Sequence, residues 1–169
     1  MCYIKVSDLQ KLNGLYIHNI TEGMSQYLYY IMEGTEEQHY LFLSRLMEIG
    51  ASDKAFVDFY YKRINASNIK IITKYLTEDE CVLLDSLIKK GYEAFGEEEF
   101  LLVELRDEIL KLLLHISYQE CLFSSFYFTW PICTIWSNYG GRFLLFAKEQ
   151  EQCDPLIVMA KEIGMLIER

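Results

Sequence analysis

Three capping boxes constrain what this chain can fold into more than any other feature. Ser7-Asp8-Leu9-Gln10, Thr35-Glu36-Glu37-Gln38 and Thr77-Glu78-Asp79-Glu80 each place a hydroxyl three residues ahead of an acid or amide. The hydroxyl can accept from the third residue's N–H while the longer side chain returns to the cap's own N–H, so each marks a helix start. Ser52 before Asp53 and Asp154 before Pro155 are further N-cap candidates, the second with proline at its preferred first helical position. Gly34, Gly50, Gly91 and Gly96 stand where helices should stop. With only two prolines in 169 residues, the expected helices run over 7–13, 22–33, 36–49, 53–64, 67–76, 78–90, 98–118 and 155–168. Apolar spacing supports them: Phe56, Phe59, Tyr60 and Ile64, and likewise Leu102, Leu105, Ile109, Leu112 and Ile116, recur at near-helical intervals.

The texture changes after Glu120. From Phe126 to Trp136 the even positions carry the larger aromatic and apolar groups, which is strand-like alternation. Asn138-Tyr139-Gly140-Gly141 tolerates positive φ and offers a turn, after which 142–147 returns as a second strand. Pro131 donates no hydrogen bond, so this strand must lie at an edge or carry a bulge there. A hairpin alone is marginal in water, and 2–6 is the natural third strand. The competing reading makes 120–147 an irregular aromatic segment. The expected fold is therefore α+β: one predominantly α-helical domain, 1–169, with a small antiparallel hairpin or three-stranded element near the C-terminus.

Several function classes are disfavoured. A net charge of −9 opposes the counterion release that dominates nucleic-acid binding. No stretch approaches the ~20 apolar residues needed to span a bilayer, and the N-terminus lacks the basic and apolar parts of a signal peptide, so a cytoplasmic chain without membrane contact is expected. The five cysteines (Cys2, Cys81, Cys121, Cys133, Cys153) are scattered, without a CxxC pair, and read as reduced thiols. A bundle-type dinuclear metal site needs two Glu-x-x-His segments. Glu36-Glu37-Gln38-His39 supplies one; His18 and His115 have leucine at the matching position, so no metal and no cofactor is expected. Nucleophile elbows and phosphate-binding glycine loops are missing. Cys121 lies six residues after His115, but Glu120 beside it raises a thiol pKa. No catalytic residue is assigned; an unrecognised helical site using His39 or His115 with carboxylates is the alternative.

Acidity is concentrated in one segment. Between positions 78 and 108 stand eleven acids against three bases (Lys89, Lys90, Arg106), a net of −8 out of the chain's −9. Such blocks commonly serve as solvated surface. The sharper expectation is a recognition face, with Glu97, Glu98, Glu99, Glu104 and Glu108 as its candidate residues. Trp136, Tyr139 and Arg142 form a second candidate at the hairpin tip, because Trp, Tyr and Arg dominate binding hot spots. The small, acidic, aromatic-rich profile resembles that of immunity proteins that neutralise secreted bacterial toxins, whose targets are often basic nucleases. That resemblance of composition implies a basic protein partner and a non-enzymatic role. The surplus of aromatics, thirteen tyrosines among them, also suits an oligomeric helical scaffold with a self-interface.

Overall fold

The computed structural model describes residues 2–50, 55–94 and 99–169. It overturns the expectation of a predominantly helical chain with a small C-terminal β-element. Among the described residues, eight strands form one antiparallel sheet in the order β1-β4-β3-β5-β6-β7-β2-β8. In chain order the elements are β1 (Tyr3–Ile4), α1 (Val6–Lys11), α2 (Ile20–Gln26), β2 (Leu28–Glu33), α3 (Glu36–Gly50), β3 (Ala55–Phe59), α4 (Ala66–Ile72) and α5 (Glu78–Ala94). There follow β4 (Leu101–Glu104), α6 (Asp107–Tyr118), β5 (Ser125–Thr129), β6 (Ile132–Trp136), β7 (Arg142–Ala147), α7 (Gln150–Glu162) and β8 (Leu166–Glu168).

Each correction has a local cause. The helix expected over 22–33 is α2 followed by strand β2, whose Tyr30 and Met32 face the main core while Tyr29 packs on the opposite side. The helix expected over 53–64 is strand β3 followed by a single 3-10 turn; its first two residues lie outside the described set, as do the candidate cap Ser52 and the stop Gly96. All five residues of β3 are buried, because both faces of the sheet are covered there. A strand buried on two sides reads as an unbroken apolar run, and its residues fall at helix-like spacing by coincidence. The helix expected over 98–118 is β4 and α6, joined at Leu105-Arg106 without interrupting the leucine spacing. The helix expected over 155–168 starts earlier, at Gln150, with Pro155 inside it, and gives way to the edge strand β8.

The capping signals fare unequally. Thr35 N–H donates to Gln38 Oε1 at 2.8 Å and Gln38 N–H to Thr35 Oγ1 at 3.3 Å, opening α3 as expected. Thr77 and Glu80 open α5 in the same reciprocal way. Ser7 does not cap: α1 already begins at Val6, and Asp8 accepts instead from Lys5 N–H. Gly91 is not a stop but lies within α5, where the Tyr61 ring occupies the space a Cβ would need. The expected aromatic strand is two strands: Pro131 sits with Trp130 in the turn that pairs β5 with β6, and β7 then pairs with β6. The segment 2–6 does supply a strand, β1, but it pairs with β4 at the far edge of the sheet.

One face of the sheet carries the main core. Val57, Phe59, Val103, Phe126, Phe128, Ile135, Phe143 and Leu145 meet α3, α5, α6 and α7 there. Truncating such a side chain to alanine costs about 2–5 kcal/mol. The other face is covered by the N-terminal segment in two smaller patches: Leu9 with Phe56, Leu102 and Tyr127, and Leu15 and Ile17 with Leu144 and Phe146. Thr134 Oγ1 hydrogen-bonds the Leu15 carbonyl beneath that cover.

Candidate functional site

Antiparallel order sorts the loops onto two ends of the sheet. At the upper end β4 leads into α6 and the Trp130-Pro131 turn joins β5 to β6. At the lower end lie the exits of β2, β3 and β6 and the start of β7. The twelve residues of α6, about 18 Å long, run from the upper end to the lower. Tyr118 in its last turn donates to Gly34 O at 2.8 Å.

The lower end is built around Tyr139. A short 3-10 turn, Tyr139–Gly141, links β6 to β7, and Gly140 and Gly141 both take positive φ (63° and 66°). Gly141 needs glycine for a second reason: a Cβ there would come within 2.5 Å of Gly34 O. Gly34 N–H in turn donates to Gly141 O at 3.1 Å, which fastens the turn to the start of α3. Gly140 N–H donates to Glu120 Oε1 at 3.1 Å, and the Tyr139 ring stands edge-on to Phe123 with centroids 4.6 Å apart. The ring is nevertheless 63% exposed. It forms a ridge between two open clefts. One, about 400 Å³, is lined by Met24, Ile31, Asn138, Arg142 and Leu144; the other, about 290 Å³, by Arg63, Asn68, Glu120, Cys121 and Phe123.

A third cleft, about 430 Å³, opens near the same end between α3, α5 and α6. Glu36, Glu37, Tyr40, Glu80, Lys111 and His115 line it. His115 Nδ1 lies 2.8 Å from Glu36 Oε1, and Nε2 lies 3.0 Å from the Tyr75 carbonyl. Partial burial works against the charged ring, but the Glu36 carboxylate, the Tyr75 carbonyl and Glu80 outweigh it, so the pKa lies above the ordinary value. Two nitrogens that both face acceptors favour the imidazolium, in which each carries a proton to donate. In that arrangement the ring cross-links Glu36 to the Tyr75 carbonyl.

The remaining titratable groups in the interior are engaged by the fold. Asp58 on β3 is 1% exposed; it accepts from Ser125 N–H at 2.7 Å and from the Tyr127 hydroxyl at 2.9 Å. Desolvation dominates over these bonds and over the Arg63 charge, and lifts its pKa to about 6. His39 is fully buried, packed 4.0 Å from the Phe143 ring, with Nδ1 2.6 Å from the Tyr118 hydroxyl. Burial pushes its pKa down to about 4, so the ring is neutral at physiological pH. Burial also raises the thiols of Cys121, Cys133 and Cys153 above their ordinary value. Among the described residues, no group of three His, Cys, Asp or Glu is placed to hold a metal ion, and no helix is long and apolar enough to cross a membrane.

Of the candidate residues from the sequence, Tyr139 and Arg142 line one cleft, whereas the described acids are divided between the two ends of the sheet. Glu97 and Glu98 lie outside the described residues. Glu99 is exposed just before β4, at the lower end, while Glu104 ends that strand at the upper end and pairs with Arg106 at 2.8 Å. Glu108 is exposed in the first turn of α6, also at the upper end. Of the hairpin-tip trio, Trp136 is half-buried against the patch under the N-terminal segment. Arg142 is exposed, but binds Glu168 at 2.7 Å and Glu33 at 3.5 Å across three neighbouring strands. Tyr139 alone of the three presents its ring outward.

Sequence reasoning missed three features. Asp58 could have been found as the lone acid inside an apolar run. Trp130, 61% exposed at the upper turn, was flagged only by the proline after it. The cross-link from Glu36 through His115 to Tyr75 joins residues too far apart in sequence to leave a local signal. No protein-family model, curated protein or solved structure matches the chain, so a functional reading rests on this geometry.

Proposed function

We propose that this chain is a non-enzymatic protein-binding protein that docks a basic partner at the lower end of the sheet. The observation that carries the reading is the Tyr139 ridge: an exposed aromatic ring held on a backbone fixed by Gly34, Glu120 and Phe123, with a cleft on either side. Rigid aromatic anchors next to pockets are the usual hot spots of protein interfaces, because little side-chain freedom is lost on binding. The Gly141–Gly34 contact makes this ridge continuous with the start of α3, where Glu36 and Glu37 stand with Glu80 nearby. Those carboxylates supply the charge complement for a cationic surface and speed its approach. A secreted toxin nuclease fits that chemistry and the compositional resemblance to immunity proteins.

The enzymatic alternative has one observation in its favour, a histidine and carboxylates sharing a cleft. Against it, both His115 nitrogens are committed to acceptors.

The test takes a basic protein recovered from the native cell extract and measures its binding kinetics. Tyr139→Ala should speed dissociation at least tenfold, a loss of about 1.4 kcal/mol or more, and leave the association rate nearly unchanged. Salt should slow association, since the Debye length falls from about 10 Å at 0.1 M to about 3 Å at 1 M. Unchanged dissociation of every recovered partner from the Tyr139→Ala variant would sink the reading.

A further inference from the structure

We propose that His115 is a pH-operated latch: as a double hydrogen-bond donor it ties α3 and α6 to the connector between α4 and α5, and on losing its proton it releases that connector and opens the acidic cleft. His115 belongs to the last turn of α6, Glu36 to the first turn of α3, and Tyr75 to the stretch between α4 and α5. A positive ring at one helix's C-terminus and a carboxylate at another's N-terminus are both favoured by the helix dipoles. Position and partnership therefore both favour the charged ring.

The groups that face it come from every element around the cleft. From α3 these are Glu36, Glu37 and Tyr40; from α5, Glu80; from α6 itself, Lys111 one turn earlier. Lys111 is the one opposing cation among them, and it is occupied by Asp107 at 2.7 Å and stands over the Tyr40 ring. Tyr40 also donates to Asp107. Apart from Lys111, the charges around the ring favour its protonated form.

A neutral imidazole has one N–H and two acceptors to serve. The proton stays toward Glu36, where the bond is charge-assisted, and the ring's other lone pair then confronts the Tyr75 carbonyl oxygen. That contact is repulsive, so the connector moves away. The connector's own ties are few: Lys74 and Tyr75 N–H donate back into the last turn of α4, and Thr77 caps α5. Deprotonation also leaves Glu36, Glu37 and Glu80 without the imidazolium. The cleft becomes wider and more negative in one step.

The experiment follows the His115 ring by NMR across pH in the full chain, together with hydrogen-exchange protection factors for the Lys74, Tyr75 and Thr77 amides. His39, held near pKa 4, is out of the way. The ring should titrate above 6.5, the ordinary histidine value. Protection of the three amides should fall at least tenfold through that same midpoint, while amides of β5, β6 and β7 stay protected. Glu36→Gln should lower both midpoints together by about one pH unit, the usual effect of removing a contacting opposite charge. A ring midpoint at or below 6.5, a midpoint indifferent to Glu36→Gln, or protection that stays constant through the titration would each overturn the latch.

Discussion

The two ends of the sheet are finished in opposite ways. At the upper end ion pairs dominate: Glu104 holds Arg106, Asp107 holds Lys111 and accepts from the Tyr40 hydroxyl, and Glu108 stands exposed beside them. At the lower end Arg142 holds Glu33 and Glu168, but the cleft between α3, α5 and α6 keeps a surplus of carboxylates. Glu36, held by His115, shares that cleft with Glu37, Glu80 and Lys111, whose charge Asp107 already holds; Asp58 is buried on two hydrogen bonds with the Arg63 charge near it, and Tyr139 stands out between two further clefts. Neutralised charge serves as scaffold, with exposed pairs contributing ~1 kcal/mol or less. Charge left without its own counterion is what a partner can meet. Net acidity along the sequence is thus a poor guide to a binding face, because pairing in space decides which acids remain available.

The largest effect is expected at the turn that fastens the lower end. Gly141→Ala combines a left-handed backbone with a Cβ driven against the Gly34 carbonyl, and should destabilise the fold by about 3 kcal/mol in urea unfolding. Gly140→Ala shares the backbone cost but meets open space, and should lose only about 1 kcal/mol. Equal losses would mean that the turn is not packed on the start of α3.

A smaller effect should come from the buried carboxylate. With a folded pKa near 6 against an ordinary 3.8, Asp58 holds its proton more tightly in the folded chain than in the unfolded one. Its contribution is therefore greatest below pH ~4 and is lost as pH rises through ~6, on the order of 3 kcal/mol. Asp58→Asn should remove that slope from the stability–pH curve and make the protein no less stable at neutral pH. A variant that keeps the wild-type slope would show that the group titrates normally.

The smallest effect contrasts the ends directly. Glu37→Lys at the lower end should slow association with a basic partner several-fold at low salt and have little effect at 1 M. Glu108→Lys at the upper end should change the rate much less, and neither should move stability by more than about 0.5 kcal/mol.

How much of this was legible in the sequence depends on range. Thr35 with Gln38, and Thr77 with Glu80, lie within one helical turn, so their pairing is written locally and was read. Tyr139 was legible because Gly140-Gly141 after it can only be a turn. Strands β2, β3 and β4 were not, since their strand character comes from partners: β3 pairs with residues 101–104 on one side and 126–128 on the other. Stripped of those partners, Phe56, Phe59 and Tyr60 look like a helix stripe. The lower end has the same history, since Gly34 and Gly141, or Glu36 and His115, meet only after the sheet has formed.

The most direct test of the docking end is hydrogen exchange of the full chain with and without its basic partner, read at both ends at once. Docking at the lower end predicts new protection at amides 34–38 and 137–142, with 104–108 and 129–132 unchanged. Protection confined to the upper residues, around Glu104, Glu108 and Trp130, would contradict it and move the interface to the opposite end of the sheet.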